Sequence, residues 1–331
     1  MSIEAIASAV PQRRETAAEI ARQTGVDEAF IADKVGIQYR HVLGPDETGI
    51  DLAEAACRRL FDRTQLKPED IGTLVFVTQT PDHPIPHNSA LLAARLGLPH
   101  RCAAFDVGLG CSGYVYALSI AEGFLAINEI EHGLLVTCDP YSKIIAAEDK
   151  ATNAVFGDGA TATWLRRTGN RTKLGICDFG TDGANGKAIM VPAGGAKSPF
   201  VSLPHEATLV YDRNELRLHM LGRDVFNFVM NRIPESIHTC IAANKLSLES
   251  IDWFALHQGS RYMLFAMADR VGIAREKLPV NIDRYGNTVS SSIPMLLEEL
   301  MQTADLRGRK IVISGFGVGL SWATNVLSFK H

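Results

Sequence analysis

The stretch "FDVGLGCSGYVYAL" (105–118) places Cys111 in a glycine-rich turn, between a short apolar run and an apolar helical pattern. A thiol in that position has two readings. As a nucleophile it would sit at a helix N-terminus, whose unpaired N–H groups and roughly half a positive charge favour the thiolate. Such settings bring a cysteine pKa down to roughly 3.5–7.5. Gly108, Gly110 and Gly113 allow tight turning and close backbone approach, so the same turn aims N–H groups at a carbonyl under attack. As a core residue, Cys111 is one more small buried hydrophobe. On this stretch alone the two readings balance.

Two further residues could act with it. His257 closes the apolar run of "WFALHQGS", on the strand edge where α/β folds collect their sites. Asn287 lies in "IDRYGNTVSSSIP", a turn-like run before a helical pattern, and taken singly it reads as a turn residue. The late loop "ISGFGVGLSWAT" resembles a dinucleotide fingerprint but lacks its third glycine spacing and the βαβ unit that must follow. It reads better as a glycine loop lending a backbone N–H to an oxyanion hole, with Gly319 the candidate donor. One such donor contributes about 2.7–4 kcal/mol to transition-state stabilisation. Prolines between His83 and His87 prevent a shared helix face, so no metal site is expected, and acyl transfer through a cysteine calls for no cofactor.

The elements that must position these residues form a weak repeat. "LKPEDIGTLVFV" (66–77) matches "LSLESIDWFALH" (246–257) at an offset of 180 residues (246 against 66). Each copy follows a helical pattern, 51–63 in one case and 223–245 in the other, where Pro234 is expected to kink or interrupt the helix. At about the same offset, the helix after Cys111 falls opposite 291–302, and the run 132–139 opposite 309–317. This reads as a duplicated α/β unit with halves 1–168 and 169–331. If a pseudo-twofold axis relates them, both helix N-termini face the centre and Cys111 meets Asn287 there. Uniformly apolar runs at 73–77, 134–138, 253–256 and 311–314 suit strands buried on both faces, in layers of sheet and helix. The Gly- and Pro-rich stretch 183–218 reads as an excursion or extra hairpin.

Composition narrows the function classes. The chain has 331 residues, beyond the roughly 250–300 that one core serves. It is 46% hydrophobic and 21% charged, so there is ample material for large cores. A net charge of -4 does not indicate a nucleic-acid partner. No run reaches the roughly 20 apolar residues of a membrane span, and the first residues lack the pattern of a signal peptide. Six scattered cysteines without a CxxC pair fit a reduced cytoplasmic protein.

Taken together, "FDVGLGCSGYVYAL", "AVFGDGATATWL" (154–165), "DWFALHQGS", "DRYGNTVSSSIP" and "GFGVGLSWAT" resemble, in order and spacing, the motifs of the 3-oxoacyl-[acyl-carrier-protein] synthase III family of thiolase-like condensing enzymes. The resemblance runs from about residue 20 to the C-terminus. It implies a five-layered αβαβα fold, a homodimer, and Cys111, His257 and Asn287 as the catalytic triad. Cys111 would take an acyl group from a coenzyme A or acyl-carrier-protein thioester, with its own N–H and that of Gly319 holding the oxyanion. His257 and Asn287 would stabilise the enolate formed as a malonyl thioester loses carbon dioxide.

Several substrate-binding positions depart from the family. Phe30 stands where a tryptophan often stacks on the adenine of coenzyme A, and Gln38 and Lys150 where arginines contact its nucleotide. Asn227 and Tyr262 replace basic residues near the tunnel mouth, where the acidic carrier protein docks. Ile85 lies where a bulky aromatic often closes the acyl pocket. Fewer cationic forks weaken phosphate and carrier recognition, which implies a specialised member with an unusual donor or acceptor. Other readings stay open: a papain-like protease, an acyltransferase delivering to an alcohol or amine, and a non-catalytic partner subunit. The context G-C-S-G-Y argues against the first. An intact triad argues against the last.

Overall fold

The computed structural model describes residues 1–198 and 213–330. Its centre is a pair of five-stranded sheets. The first is built from β1 (Ser2–Ala9), β2 (Ile71–Val77), β3 (Ala103–Val107), β4 (His132–Cys138) and β5 (Ala160–Arg166) in the order β1-β5-β4-β2-β3. The second uses β6 (Thr172–Leu174), β7 (Asp178–Thr181), β8 (Trp253–Leu256), β9 (Lys310–Gly317) and β10 (Ser321–Phe329). Its order is β8-β9-β10-β6, with β7 also on β10.

The two sheets share one plan. In each, a parallel pair (β2 with β4, β8 with β9) is followed by an antiparallel neighbour (β5, β10). A further antiparallel partner then closes the edge: β1 in the first sheet, β6 and β7 in the second. Among the described residues, only β3 lacks a counterpart. The first sheet ends at Arg166 and the second begins at Thr172. The four apolar runs expected to be strands all are, three of them lengthened by a few residues and 253–256 unchanged.

Helices fill three layers. On the outer face of the first sheet lie α1 (Gly49–Arg63) and α2 (Asn88–Leu96). Between the sheets lie α3 (Gly113–Ile127) and α6 (Ser292–Thr303), each touching strands of both. On the outer face of the second sheet lies α4 (Gly222–Ala243), with α5 (Arg261–Val271) packed against it. The result is an αβαβα sandwich. α3 is apolar nearly all round, as a helix covered on two sides must be. Its Tyr114, Val115, Leu118, Ala121 and Leu125 are fully buried. Burying a valine or leucine side chain in this way stabilises the fold by about 1.5–3 kcal/mol.

One local expectation needs correction. α4 runs unbroken through Pro234. The proline costs that helix one backbone hydrogen bond, and its burial beside Ile233 and Ile237 holds the segment helical all the same. The excursion at 183–218 is closed at its base by a two-stranded ribbon, Ile189–Met190 against His219–Met220. Its residues 199–212 lie outside the described ones. No helix among the described residues is long and apolar enough to cross a membrane.

Candidate active site

Cys111 lies between the end of β3 and the start of α3, in a turn closed by the Gly113 N–H donating to the Gly110 carbonyl at 2.8 Å. Ser112, the next residue, sits with its hydroxyl 2.7 Å from that of Ser321 at the start of β10, which ties the nucleophile turn to the C-terminal hairpin. His257 directly follows β8, and its N–H continues the ladder to the Ser314 carbonyl at 2.9 Å. Asn287 precedes α6 and is held by backbone bonds on both sides. Its N–H donates to the Val155 carbonyl at 2.9 Å, and its carbonyl accepts from the Gly157 N–H at 3.0 Å.

Each residue is therefore fixed by a strand end or helix start, and the two sheets bring all three to one place. Cys111, His257 and Asn287 line a single cavity of about 150 Å³, shared with Tyr141, Phe156, Ile189, Met220 and Phe316. All three are buried.

The side chains are oriented as well as placed. The Asn287 Oδ1 accepts the Val289 N–H at 2.9 Å, which turns its Nδ2 donors away from that bond. Val289 adopts φ +52°, unusual for a β-branched residue, and such backbone costs about 1–3 kcal/mol. The His257 ring stands edge-on to Phe316, and its Nδ1 is 2.7 Å from the Ser292 hydroxyl. Burial holds the His257 pKa down at about 3, so the ring is neutral at ordinary pH. When Ser292 donates to Nδ1, the Nε2 atom carries the proton and can donate it to an oxyanion.

The electrostatics of Cys111 reverse the expectation drawn from its helix. Burial, and then the nearby Asp139 carboxylate, push its pKa up to about 12, against the pull of the Cys111 and Val318 N–H groups. At neutral pH Cys111 is therefore a protonated thiol. Asp139 is itself raised to about 6 by burial, opposed by bonds from Gln79 and Ser290.

The backbone around the sulfur is placed by the C-terminal loop. The N–H that faces the sulfur belongs to Val318, whereas Gly319 does not line the cavity and turns at φ +140°. A Cβ on the preceding Gly317 would stand 2.8 Å from the Cys111 sulfur, so that position must remain glycine.

The other predicted substrate residues are not gathered here. Phe30, Gln38, Ile85, Lys150, Asn227 and Tyr262 are all exposed, and none lines the cavity. Ile85 is 87% exposed on the loop between β2 and α2. Tyr262 stacks on Phe226, with ring centroids 5.7 Å apart. Sequence reasoning missed Tyr141, Gln79, Ser292 and Val318. The one signal for Tyr141 was its place just past the end of the apolar run 132–138.

A buried cysteine, a neutral imidazole and an oriented amide around one apolar cavity, carried by an αβαβα sandwich, define an acyltransferase of the thiolase-like class. Comparison narrows this further. Residues 105–183 match the family model for 3-oxoacyl-[acyl-carrier-protein] synthase III, and residues 241–329 that of its C-terminal part. The chain is 30% identical to the beta-ketoacyl-[acyl-carrier-protein] synthase III of Lactococcus lactis over 98% of both chains. It is 32% identical to beta-ketoacyl-[acyl-carrier-protein] synthase III 3 of Streptomyces coelicolor, over 98% of this chain and 96% of that one. A crystal structure of a 3-oxoacyl-(acyl-carrier-protein) synthase III superposes with TM-score 0.92 at 35% identity, covering 99% of both chains. The corresponding enzyme of Thermus thermophilus gives 0.88 at 31%, again over 99% of both. The chain belongs to the 3-oxoacyl-[acyl-carrier-protein] synthase III family.

Proposed function

We propose that this enzyme joins an acyl group, carried on Cys111, to the two-carbon unit of a malonyl thioester with loss of carbon dioxide. The observation that carries the reading is the convergence of Cys111, His257 and Asn287 on one cavity, with the two hydrogen-bond donors oriented by Ser292 and Val289.

In the first half-reaction the Cys111 sulfur attacks the acyl thioester carbonyl. The developing oxyanion is met by the Cys111 and Val318 N–H groups, and the departing thiol takes up the proton that Cys111 loses. In the second, the bond between the malonyl carboxylate and its α-carbon breaks. Carbon dioxide leaves, and the electron pair passes into an enolate whose oxygen accepts from His257 Nε2 and Asn287 Nδ2. That α-carbon attacks the acyl-enzyme carbonyl, a carbon–carbon bond forms, and the Cys111 sulfur is expelled and reprotonated. No electron is gained or lost, so the chemistry calls for no redox cofactor.

The relatives are named for carrier-protein substrates. We take the carrier protein and coenzyme A as the thioester carriers, and a second copy of the chain as partner in a homodimer working in the cytoplasm. Phe30, Gln38, Lys150, Asn227 and Tyr262, exposed and poor in arginine, support a specialised donor or acceptor. Intact-mass analysis of wild type and Cys111→Ala with acyl thioesters tests the reading. An adduct on the wild type alone is expected. An equal adduct on Cys111→Ala would assign the acyl group elsewhere.

A further inference from the structure

Three consecutive serines, 290–292, follow the Asn287 turn, and each hydroxyl goes to a different element. Ser292 reaches His257 past the end of β8. Ser291 donates to the Gly159 carbonyl at 2.9 Å, just ahead of β5. Ser290 donates to one carboxylate oxygen of Asp139, just past the end of β4, and its N–H bonds the same carboxylate. These bonds hold a strained turn. Val289, at φ +52°, sits between Asn287 and Ser290, and its N–H is the donor that fixes the Asn287 amide. Backbone of that kind persists only where its surroundings over-determine it.

The other oxygen of Asp139 holds the opposite side of the site. It accepts the Gln79 N–H at 2.6 Å. The Gln79 Oε1 accepts in turn from the Tyr141 hydroxyl at 2.9 Å, which fixes that side chain. Both turns meet there: a Cβ on Gly110, the residue before Cys111, would stand 2.5 Å from Gln79 Oε1 and 3.2 Å from Val289 Cγ1. One carboxylate therefore joins the Asn287 turn to the Cys111 turn. Asp139 and Ser290 are both fully buried, and neither lines the cavity.

We propose that Asp139, through Ser290 on one side and Gln79 on the other, is a positioning residue that sets the Asn287 amide in register with the acyl group on Cys111. It touches neither reactant. This rests on the reading of Cys111 as the acyl carrier and Asn287 as an enolate donor. Ionised, the carboxylate only accepts, and its two oxygens meet donors from two sides. An amide in its place offers one accepting oxygen and turns N–H donors toward the other partner. Carbon–carbon bond formation needs the enolate carbon and the acyl carbonyl close together and aligned, and a misplacement of about 1 Å costs on the order of a hundredfold. Acylation of Cys111 needs no such register with Asn287.

The test measures two rates on wild type, Ser290→Ala, Asp139→Asn and the double variant, each checked for folding by thermal melting. Acylation of Cys111 by an acyl-coenzyme A thioester is timed by intact mass. Condensation is then timed in a single turnover with malonyl-acyl-carrier-protein, as carbon dioxide and 3-oxoacyl thioester formed. The expected result is condensation slowed about 10- to 100-fold in each single variant, with acylation within about threefold of wild type or, in Asp139→Asn, faster. The double variant is expected to lose no more than the worse single one, because both changes break one connection. Ser290→Ala removes a single hydroxyl and covers the case in which Asp139→Asn does not fold. Unchanged condensation in a folded variant overturns the proposal. So do equal losses in both rates, or losses that multiply in the double variant. A wild type that does not acylate, or acylates and then releases no carbon dioxide, overturns the parent reading and this proposal together.

Discussion

The Ser292 hydroxyl lies 2.7 Å from Nδ1 of His257 and 3.1 Å from the carbonyl of Val289. It has one proton to give. Given to His257, it leaves the Nε2 proton pointing into the cavity, which is the form that stabilises an enolate. Given to the Val289 carbonyl, it favours the opposite tautomer. Ser292 is thus a positioning residue that acts through His257.

Replacing Ser292 with alanine removes the choice. We expect Cys111 acylation to persist while condensation falls on the order of 10- to 100-fold, short of the roughly 10²–10³ for losing an oxyanion donor outright. Ser292→Thr, which keeps the hydroxyl, is expected to restore most of the rate. Comparing the acylation rate with the rate of product formation checks this. Equal loss in both steps would point to general disruption of the site instead.

A buried, protonated thiol has a signature in pH. Below its pKa of about 12, the thiolate fraction of Cys111 rises tenfold per pH unit. Its alkylation by iodoacetamide, followed by peptide mass, is therefore expected to accelerate steadily from pH 6 to 9 with no plateau. Asp139→Asn removes a negative charge near the sulfur and is expected to raise the rate at fixed pH. A plateau near pH 7 in the wild type would contradict the assignment.

Arg40 supports the site from behind. It is buried, pairs with Glu15 at 2.8 Å, and donates to the Phe156 carbonyl at 2.7 Å and to Asn153. Phe156 in turn bridges Asn287. Arg40→Ala leaves Glu15 its contacts with Arg13 at 2.7 Å and Gln23 at 3.2 Å but strands the Asn153 and Phe156 acceptors, and is expected to cost about 1.5–3 kcal/mol in denaturant unfolding. Burial pushes the Glu15 pKa up, but Arg40, Gln23 and Arg13 together outweigh it and the net shift is downward. That contribution is therefore present at neutral pH and fades as pH falls through the carboxylate range. A loss below about 1 kcal/mol would show the pair to be no better than an exposed one.

Much of this architecture can be read from residue types, because burial on two faces leaves uniform apolar runs such as 73–77 and 134–138. Cys111, His257 and Asn287 were legible for a related reason: each ends a run or opens a helix, where side chains must face the junction of the halves. Val318 was hidden, since every residue but proline carries an N–H and a glycine loop directs attention to its glycines. The Cys111 pKa was hidden because its helix is local, whereas the burial that chiefly raises it, and after that Asp139 from the end of β4, come from distant parts of the chain. Ser292 and Tyr141 act through partners 35 and 62 residues distant, contacts that no local pattern records.

The most direct test of the central claim is a single-turnover chase. Enzyme acylated at Cys111 is freed of donor and mixed with a malonyl thioester, and carbon dioxide, product and enzyme mass are followed together. The account predicts loss of the acyl mass from Cys111, release of one equivalent of carbon dioxide and one equivalent of 3-oxoacyl thioester. An acyl group that stays on Cys111 in the presence of malonyl thioester, or leaves only to an alcohol or amine without carbon dioxide, would contradict it.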